Sequence, residues 1–402
     1  MRILAVSCRY PPYVAGGYEL SAAEAVNELR ARGHDVAVLC ARGERFAGTG
    51  VLSVLEPSLD GGDPWQRALE AGNLEKVRRH MFDPTNHRRT KHVIAKTRPD
   101  LVFYFNLALV SLAPLLAAQA LGVPVVGEIN DRWPLNHWLS SWQPGTKTTR
   151  RRTLEAAWER LVRRVEWGPM LVPSESLARE LRVRGHRVEV HMLPLPVDAA
   201  RAAANERASA RRAGENLRIV CTSMMWEGKG QHVLLEALAL ARLQGARVEV
   251  VLAGSGPAEY RARLTERAAR PDLAGAVTFA GQLERAAVGA LLARSHVFVL
   301  PSLWSEPYGL ATLEAMAHEL APIVTDAGGS SEIVRADTSG LVVPADDARA
   351  LAAAIVRLER DEALRARFAA AALARAERDF AAGPYYDRLS ARLELAVREA
   401  RA

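Results

Sequence analysis

Two carboxylates, Glu306 and Glu314, stand eight residues apart in the stretch Ser302-Leu303-Trp304-Ser305-Glu306-Pro307-Tyr308-Gly309-Leu310-Ala311-Thr312-Leu313-Glu314-Ala315-Met316-Ala317. The apolar run His296 to Leu300 ahead of them reads as a strand, and Pro307 keeps Glu306 out of any helix that follows. Glu306 is therefore expected on a loop at the carboxyl end of a strand, where α/β sheets hold ligands. Gly309 to His318 reads as a helix whose first-turn N–H groups have no internal acceptor, which suits a diphosphate. Carboxylates accept hydrogen bonds only, and so match the hydroxyls of a sugar or a ribose. A capped helix with one exposed and one structural Glu accounts for the spacing alone equally well. Lys229 lies between Gly228 and Gly230 just after another strand-like run and is a flexible point charge suited to a diphosphate. Gly16-Gly17, between the first strand and first helix, lets backbone approach a phosphate without a Cβ in the way.

The elements that must position these groups alternate between strand and helix. Ile3 to Ser7 and Asp35 to Cys40 read as strands with a helix, Ser21 to Arg32, between them. Further strands are expected at Leu101 to Tyr104, Val123 to Gly127, Pro169 to Val172 and Val188 to Met192, while region 60–95 has no clear pattern. Between Pro196 and Asn216 the chain turns Ala/Arg/Glu-rich and reads as a linker. A second α/β pattern then runs through strands at Leu217 to Cys221, Arg247 to Ala253, Val277 to Ala280, Val297 to Leu300, Pro322 to Thr325 and Leu341 to Val343. The expected fold class is α/β, two Rossmann-like doubly wound domains facing a central cleft: an N-terminal domain at 1–197, with a helix at about 384–402 packing back on it, and a C-terminal domain at 215–383.

Bulk properties agree with a two-domain enzyme. The chain has 402 residues, 49% hydrophobic and 25% charged, which is ample for two cores. No run reaches about 18 uninterrupted apolar residues, and Met1-Arg2-Ile3-Leu4 enters a strand pattern without a signal-peptide layout, so a cytoplasmic location is expected. The three cysteines, Cys8, Cys40 and Cys221, lack metal-ligand spacing and read as reduced core residues. The formal charge of +7 collects in two clusters, Arg78 to His92 and Lys147 to Arg164. The second includes a helical pattern, Thr153 to Trp167, with Leu154, Trp158, Leu161 and Val165 on one stripe. Packing of that stripe on its own domain is favoured; the alternative is peripheral contact of the basic helix 147–167 with an anionic bilayer.

The segment around Glu306-x7-Glu314 closely resembles the signature of the retaining GT-B glycosyltransferases called family 4, or glycosyl transferases group 1. Tyr10-Pro11-Pro12 with Gly16-Gly17, Arg32-Gly33-His34-Asp35, Val172-Pro173-Ser174, Gly228-Lys229-Gly230, Ala253-Gly254-Ser255-Gly256-Pro257, Phe279-Ala280-Gly281-Gln282, Ala327-Gly328-Gly329 and Ser339-Gly340-Leu341-Val342 resemble the same family, in its order, over most of the chain. The resemblance implies transfer of a sugar from a nucleotide-diphosphate sugar to a small-molecule, lipid or glycan acceptor; the sequence has no Asp-x-Asp to clamp a metal on such a donor, so no metal and no other cofactor is expected. It implies Lys229 and Glu306 as catalytic groups, Gly16 and Gly17 facing donor phosphates and acceptor, and Gln282 and Leu283 meeting the base through backbone. It further implies Glu314 on the ribose, and Tyr308, Gly309 and Leu310 with Glu306 on the donor sugar. The route it implies is front-face: the departing diphosphate takes the acceptor's proton, and no protein nucleophile is needed.

Two positions depart from that family. Where an Arg commonly stands beside the diphosphate, this chain has Met224, and where His-Asp is common it has Asn130-Asp131. Asn cannot titrate near neutrality, so Asn130, with Asp131, is expected to position the acceptor or sugar. Trp133, Trp138, Trp142 and Tyr13 either stack on a sugar or pack. A GT-B epimerase or an inverting transferase would share the domains but differ around Glu306 to Glu314. A dinucleotide oxidoreductase would need a Gly-x-Gly-x-x-Gly that is not there. A non-enzymatic nucleic-acid or membrane binder would explain the charge and leave Glu306, Glu314 and Lys229 without a purpose; no nucleic-acid partner is expected. Alanine at Lys229 or Glu306 is expected to abolish transfer with thermal unfolding nearly unchanged.

Overall fold

A computed structural model describes residues 1–12, 17–41, 50–57, 82–135, 153, 156–157, 160–183, 190–197 and 215–402. The chain forms two compact units: Met1–Pro173 with Leu177–Leu193 and Tyr386–Ala402, and Ser174–Ser176 with Pro194–Tyr385.

The N-terminal unit carries a sheet of β1 (Arg2–Val6), β2 (Asp35–Ala41), β3 (Val51–Leu55), β4 (Leu101–Tyr104), β5 (Val125–Glu128), β6 (Met170–Val172) and β7 (Val190–Met192). Their order is β3-β2-β1-β4-β5-β6-β7, with every pair parallel. Ile3 to Val6 and Leu101 to Tyr104 are buried throughout, as near-continuous apolar strands covered on both faces should be. Helices α1 (Gly17–Ala31), α2 (Pro84–Thr97), α3 (Ala113–Gln119) and α4 (Glu175–Val183) follow in chain order.

Three local features differ from expectation. Strand β3 lies where no strand is expected, because Val51–Leu55 is a short and only half-buried edge. Helix α2 occupies part of the region without a clear pattern, and its start is fixed by Asp83, whose carboxylate accepts from the N–H of Thr85 and Asn86 at 2.7 and 2.9 Å, with Pro84 in the first turn. The helix expected to reach Trp167 ends at Val162, whose carbonyl accepts from Trp167 Nε1 at 3.1 Å. Val165 and Trp167 are 7% and 3% exposed in the unit's core, with Leu161 and Val162 packed against it. The described part of the apolar stripe, Leu161 and Val165, therefore packs on its own domain, leaving Arg160, Arg163 and Arg164 exposed. Residues 147–152, Leu154 and Trp158 lie outside the described residues.

The C-terminal unit repeats the architecture. Strands β8 (Leu217–Thr222), β9 (Val248–Ala253), β10 (Val277–Gly281), β11 (Val297–Leu300), β12 (Ala321–Thr325) and β13 (Leu341–Val343) pair in parallel in the order β10-β9-β8-β11-β12-β13. Between and after them come α5 (Gln231–Leu243), α6 (Ala258–Ala268), α7 (Arg285–Ala293), α8 (Leu310–Ala317), α9 (Ser330–Ile333), α10 (Ala348–Arg360), α11 (Glu362–Asp379) and α12 (Ala382–Arg401). The strand order reverses between β8 and β11, the point where parallel sheets open a crevice at their carboxyl ends. From Tyr386 onward α12 belongs to the N-terminal unit, where Asp387 pairs with Arg32 at 3.0 Å and Arg401 with Asp100 at 2.7 Å. Among the described residues no helix is long and apolar enough to cross a membrane.

Candidate functional site

In the C-terminal unit the two loops at the reversal point meet. After β8 the chain runs through Ser223 to Trp226, a single turn Glu227–Lys229, and Gly230, which starts α5. Gly230 has φ +69°, and a Cβ on it would lie 1.9 Å from the carbonyl oxygen of Pro301 at the end of β11. Only glycine satisfies both demands, and the close approach sets the Lys229 loop against the Glu306 loop. The contact is reinforced by Gly228, whose carbonyl accepts from the N–H of Leu303 at 2.8 Å and of Trp304 at 3.2 Å.

Lys229 Nζ lies 2.5 Å from Glu306 Oε1, and Ser302 donates to the same oxygen at 2.5 Å. The side chains are 17% and 4% exposed, and the ammonium also sits 5.4 Å from the centroid of the Trp304 ring. Glu306 is clamped through its backbone: its N–H donates to Ala327 O at 3.0 Å and its carbonyl accepts from Gly329 N at 2.7 Å. This burial corrects the expectation that truncation leaves stability untouched. Removing one partner strands the other's charge, which costs about 3 kcal/mol or more for a buried pair.

The other expected residues take different parts. Tyr308 is buried and its hydroxyl donates to Leu195 O at 3.1 Å, so its side chain is structural and burial pushes the phenol upward. Gly309, with φ +105°, opens α8 at Leu310, and Glu314 is half-buried one turn further on. Gln282 is exposed, with Oε1 accepting from Ser255 Oγ at 2.5 Å, and Leu283 is half-buried beside it on the loop after β10. Met224, where the family resemblance leads one to expect Arg, is 63% exposed and brings no charge.

Sequence reasoning passed over Ser302, Trp304 and Gln231. Gln231, 1% exposed, donates from Nε2 to Ser223 Oγ at 2.9 Å and to Met224 O at 3.0 Å, and its Oε1 accepts from Tyr260 at 3.2 Å. It ties the loop before Lys229 to α5 and α6. Its place directly after Gly228-Lys229-Gly230 was the only signal available.

In the N-terminal unit Gly17 starts α1, and Gly16 lies outside the described residues. Tyr18 of that first turn donates to Glu128 O, and its hydroxyl accepts from Asn130 N at 3.2 Å, which joins α1 to the end of β5. Asn130 Nδ2 donates to Glu128 Oε1 at 2.8 Å. Asp131 accepts from Trp133 N at 2.8 Å and Asn106 Nδ2 at 3.1 Å, and burial, with Glu19 nearby, raises its carboxyl to about 6. Trp133 packs, 6% exposed, against Tyr104 and Trp167; Tyr13, Trp138 and Trp142 lie outside the described residues. The three cysteines are free and buried. Among the described residues no group of three or more His, Cys, Asp or Glu is arranged to hold a metal.

Two family models divide the chain: Glycosyltransferase Family 4 matches residues 15–201, and Glycosyl transferases group 1 matches residues 203–375. The phosphatidyl-myo-inositol mannosyltransferase of Mycolicibacterium smegmatis is 27% identical over 90% of this chain and 86% of its own length. A glycogen synthase of Mycobacterium tuberculosis is 29% identical over 92% of this chain and 88% of its own. Among solved structures, Anabaena Alr3699/HepE in complex with UDP matches with a TM-score of 0.71 and 18% identity, covering 98% of this chain and 100% of that one, a likeness of fold.

Proposed function

We propose that this chain, which belongs to the family 4 glycosyltransferases and has their GT-B fold of two Rossmann-like units, moves a sugar from a nucleotide-diphosphate donor onto an acceptor with retention of anomeric configuration. One observation carries the reading: a lysine and a buried carboxylate meet 2.5 Å apart at the switch point of a parallel sheet, beside the start of α8. The C1–oxygen bond to the diphosphate breaks, and the acceptor oxygen bonds to C1 on the same face. The acceptor's proton passes to the departing phosphate oxygen. Lys229 and the N–H groups opening α8 stabilise the charge that grows on the diphosphate, and Glu306 holds sugar hydroxyls. Glu314 is assigned to the ribose, the backbone of Gln282 and Leu283 to the base, and Tyr308, Gly309 and Leu310 to the sugar through main chain.

In the N-terminal unit, Gly16 and Gly17 offer backbone to an anionic group, while Asn130 and Asp131 position hydroxyls. Asn130 cannot serve as a base, which fits a route in which the leaving group takes the proton. The reaction as proposed needs no metal.

Lys229→Met tests the reading with the side-chain volume nearly kept. Transfer from UDP-, GDP-, ADP- and TDP-sugars is measured in a chelator, with the anomeric configuration of the product read by NMR. The wild type should give a retained product in the chelator, and the variant should lose at least about 100-fold in kcat. An inverted product, a metal requirement or an active variant each count against it.

A further inference from the structure

The pairing of Lys229 with Glu306 has a cost that depends on what binds. Glu306 Oε1 receives Lys229 Nζ and Ser302 Oγ, each at 2.5 Å, and the residue is 4% exposed, so water cannot take the place of a lost partner. The ammonium is held from a second side by the face of Trp304, itself packed edge-on against Trp226 at 5.5 Å. A diphosphate arriving at the start of α8 competes with Glu306 for that ammonium. The neighbouring Ser223–Trp226 loop presents Met224, 63% exposed and uncharged, so it supplies no second cation for the competition.

We infer that the Lys229–Glu306 pair makes the site select the intact nucleotide sugar over the bare nucleoside diphosphate. A bare diphosphate that recruits Lys229 leaves a buried carboxylate with one hydroxyl donor, and one that does not recruit it forgoes the cation. Either way it binds with a penalty. A sugar attached to the same diphosphate brings hydroxyls that donate to Glu306 as Lys229 departs, so the carboxylate is never stranded. Discrimination thus comes from a buried group that the wrong ligand leaves unpaired, and the spent diphosphate is released against the re-forming pair. This rests on the nucleotide-sugar reading above.

The test is calorimetric titration of the full chain with UDP and UDP-glucose, GDP and GDP-mannose, ADP and ADP-glucose, and TDP and TDP-glucose, in wild type and Glu306→Gln. Glutamine keeps the shape and an oxygen that accepts from Ser302, but without the negative charge it holds the ammonium only weakly. In wild type the matching nucleotide sugar should bind at least about tenfold tighter than its diphosphate; in Glu306→Gln the diphosphate should gain about tenfold, bringing the ratio near one. Equal binding of the two ligands to wild type overturns the inference without any variant. So does a folded Glu306→Gln whose diphosphate affinity is unchanged or weaker. If none of the eight ligands binds wild type, it is the nucleotide-sugar reading that fails, and the inference falls with it.

Discussion

Asp131 offers a stability prediction whose sign can be worked through. Its carboxyl sits at the end of β5, where burial, aided by Glu19 and opposed by the N–H of Trp133, raises it from 3.8 to about 6. The folded value lies above the unfolded one, so the protonated form is favoured by folding. Its contribution is fully present below about pH 3.8 and is lost as pH rises through about 6, leaving an ionised, poorly solvated carboxylate at neutrality. A rise from 3.8 to about 6 corresponds to about 3 kcal/mol, and because Asp131 is only half-buried this is reduced to about 1–3 kcal/mol. Asp131→Asn removes the charge and keeps an oxygen for Trp133 N, which now lies 2.8 Å from Asp131 Oδ1, but gives up the bond from Asn106 Nδ2 at 3.1 Å, which offsets about 1 kcal/mol of the gain. At about pH 7.5 the variant should therefore melt above wild type by up to about 5 °C, and the advantage should disappear as the pH falls toward about 4. Scanning calorimetry between those limits reads the difference directly. A pH-independent gap, or a variant less stable at pH 7.5, would refute the account and make the charge of Asp131 a structural asset.

Two further substitutions test the loop that carries Lys229. Gln231→Met removes three hydrogen bonds and leaves Met224 O and Tyr260 to find other partners; it should cost about 2–4 kcal/mol and raise the KM for donor, measured by thermal melts and initial rates. Gly230→Ala puts a Cβ 1.9 Å from Pro301 O at φ +69°, so the two loops must part; a loss of about 2–4 kcal/mol together with near-complete loss of transfer is expected. Leu243→Ala, at a position 85% exposed, is the control and should change the melting point by no more than scatter.

Much of the framework could be read from residue order. The strands Leu101–Tyr104, Val297–Leu300 and Leu341–Val343 and the helix Gln231–Leu243 lie where the apolar runs predict them. The strands are buried or nearly so, and there the apolar run itself is the signal, while the helix shows its buried face through helical spacing. The edge strand Val51–Leu55 and helix α2 were not legible, since one is half-buried and the other has only its Asp83-Pro84 start to mark it. Periodicity predicts a longer helix near residue 160 than the structure has, since Trp167 turns back on the carbonyl of Val162 in a contact that periodicity does not encode.

The sequence by itself determined that two parallel-sheet units carry a loop glutamate before a helix start and a lysine between two glycines, because Pro307, Gly228 and Gly230 act on the local backbone wherever the chain folds. Tertiary structure alone decided that these two charges neutralise one another. Lys229 and Glu306 are 77 residues apart, and their meeting depends on β8 and β11 being neighbours at the point where strand order reverses, with Gly230 allowing Pro301 O to come close. The same holds for Gln231, which needs a hydroxyl from α6, 29 residues away, to satisfy its buried amide. Spacing along a chain reports which groups are present; burial, which sets what their charges cost, exists only once the sheets have formed.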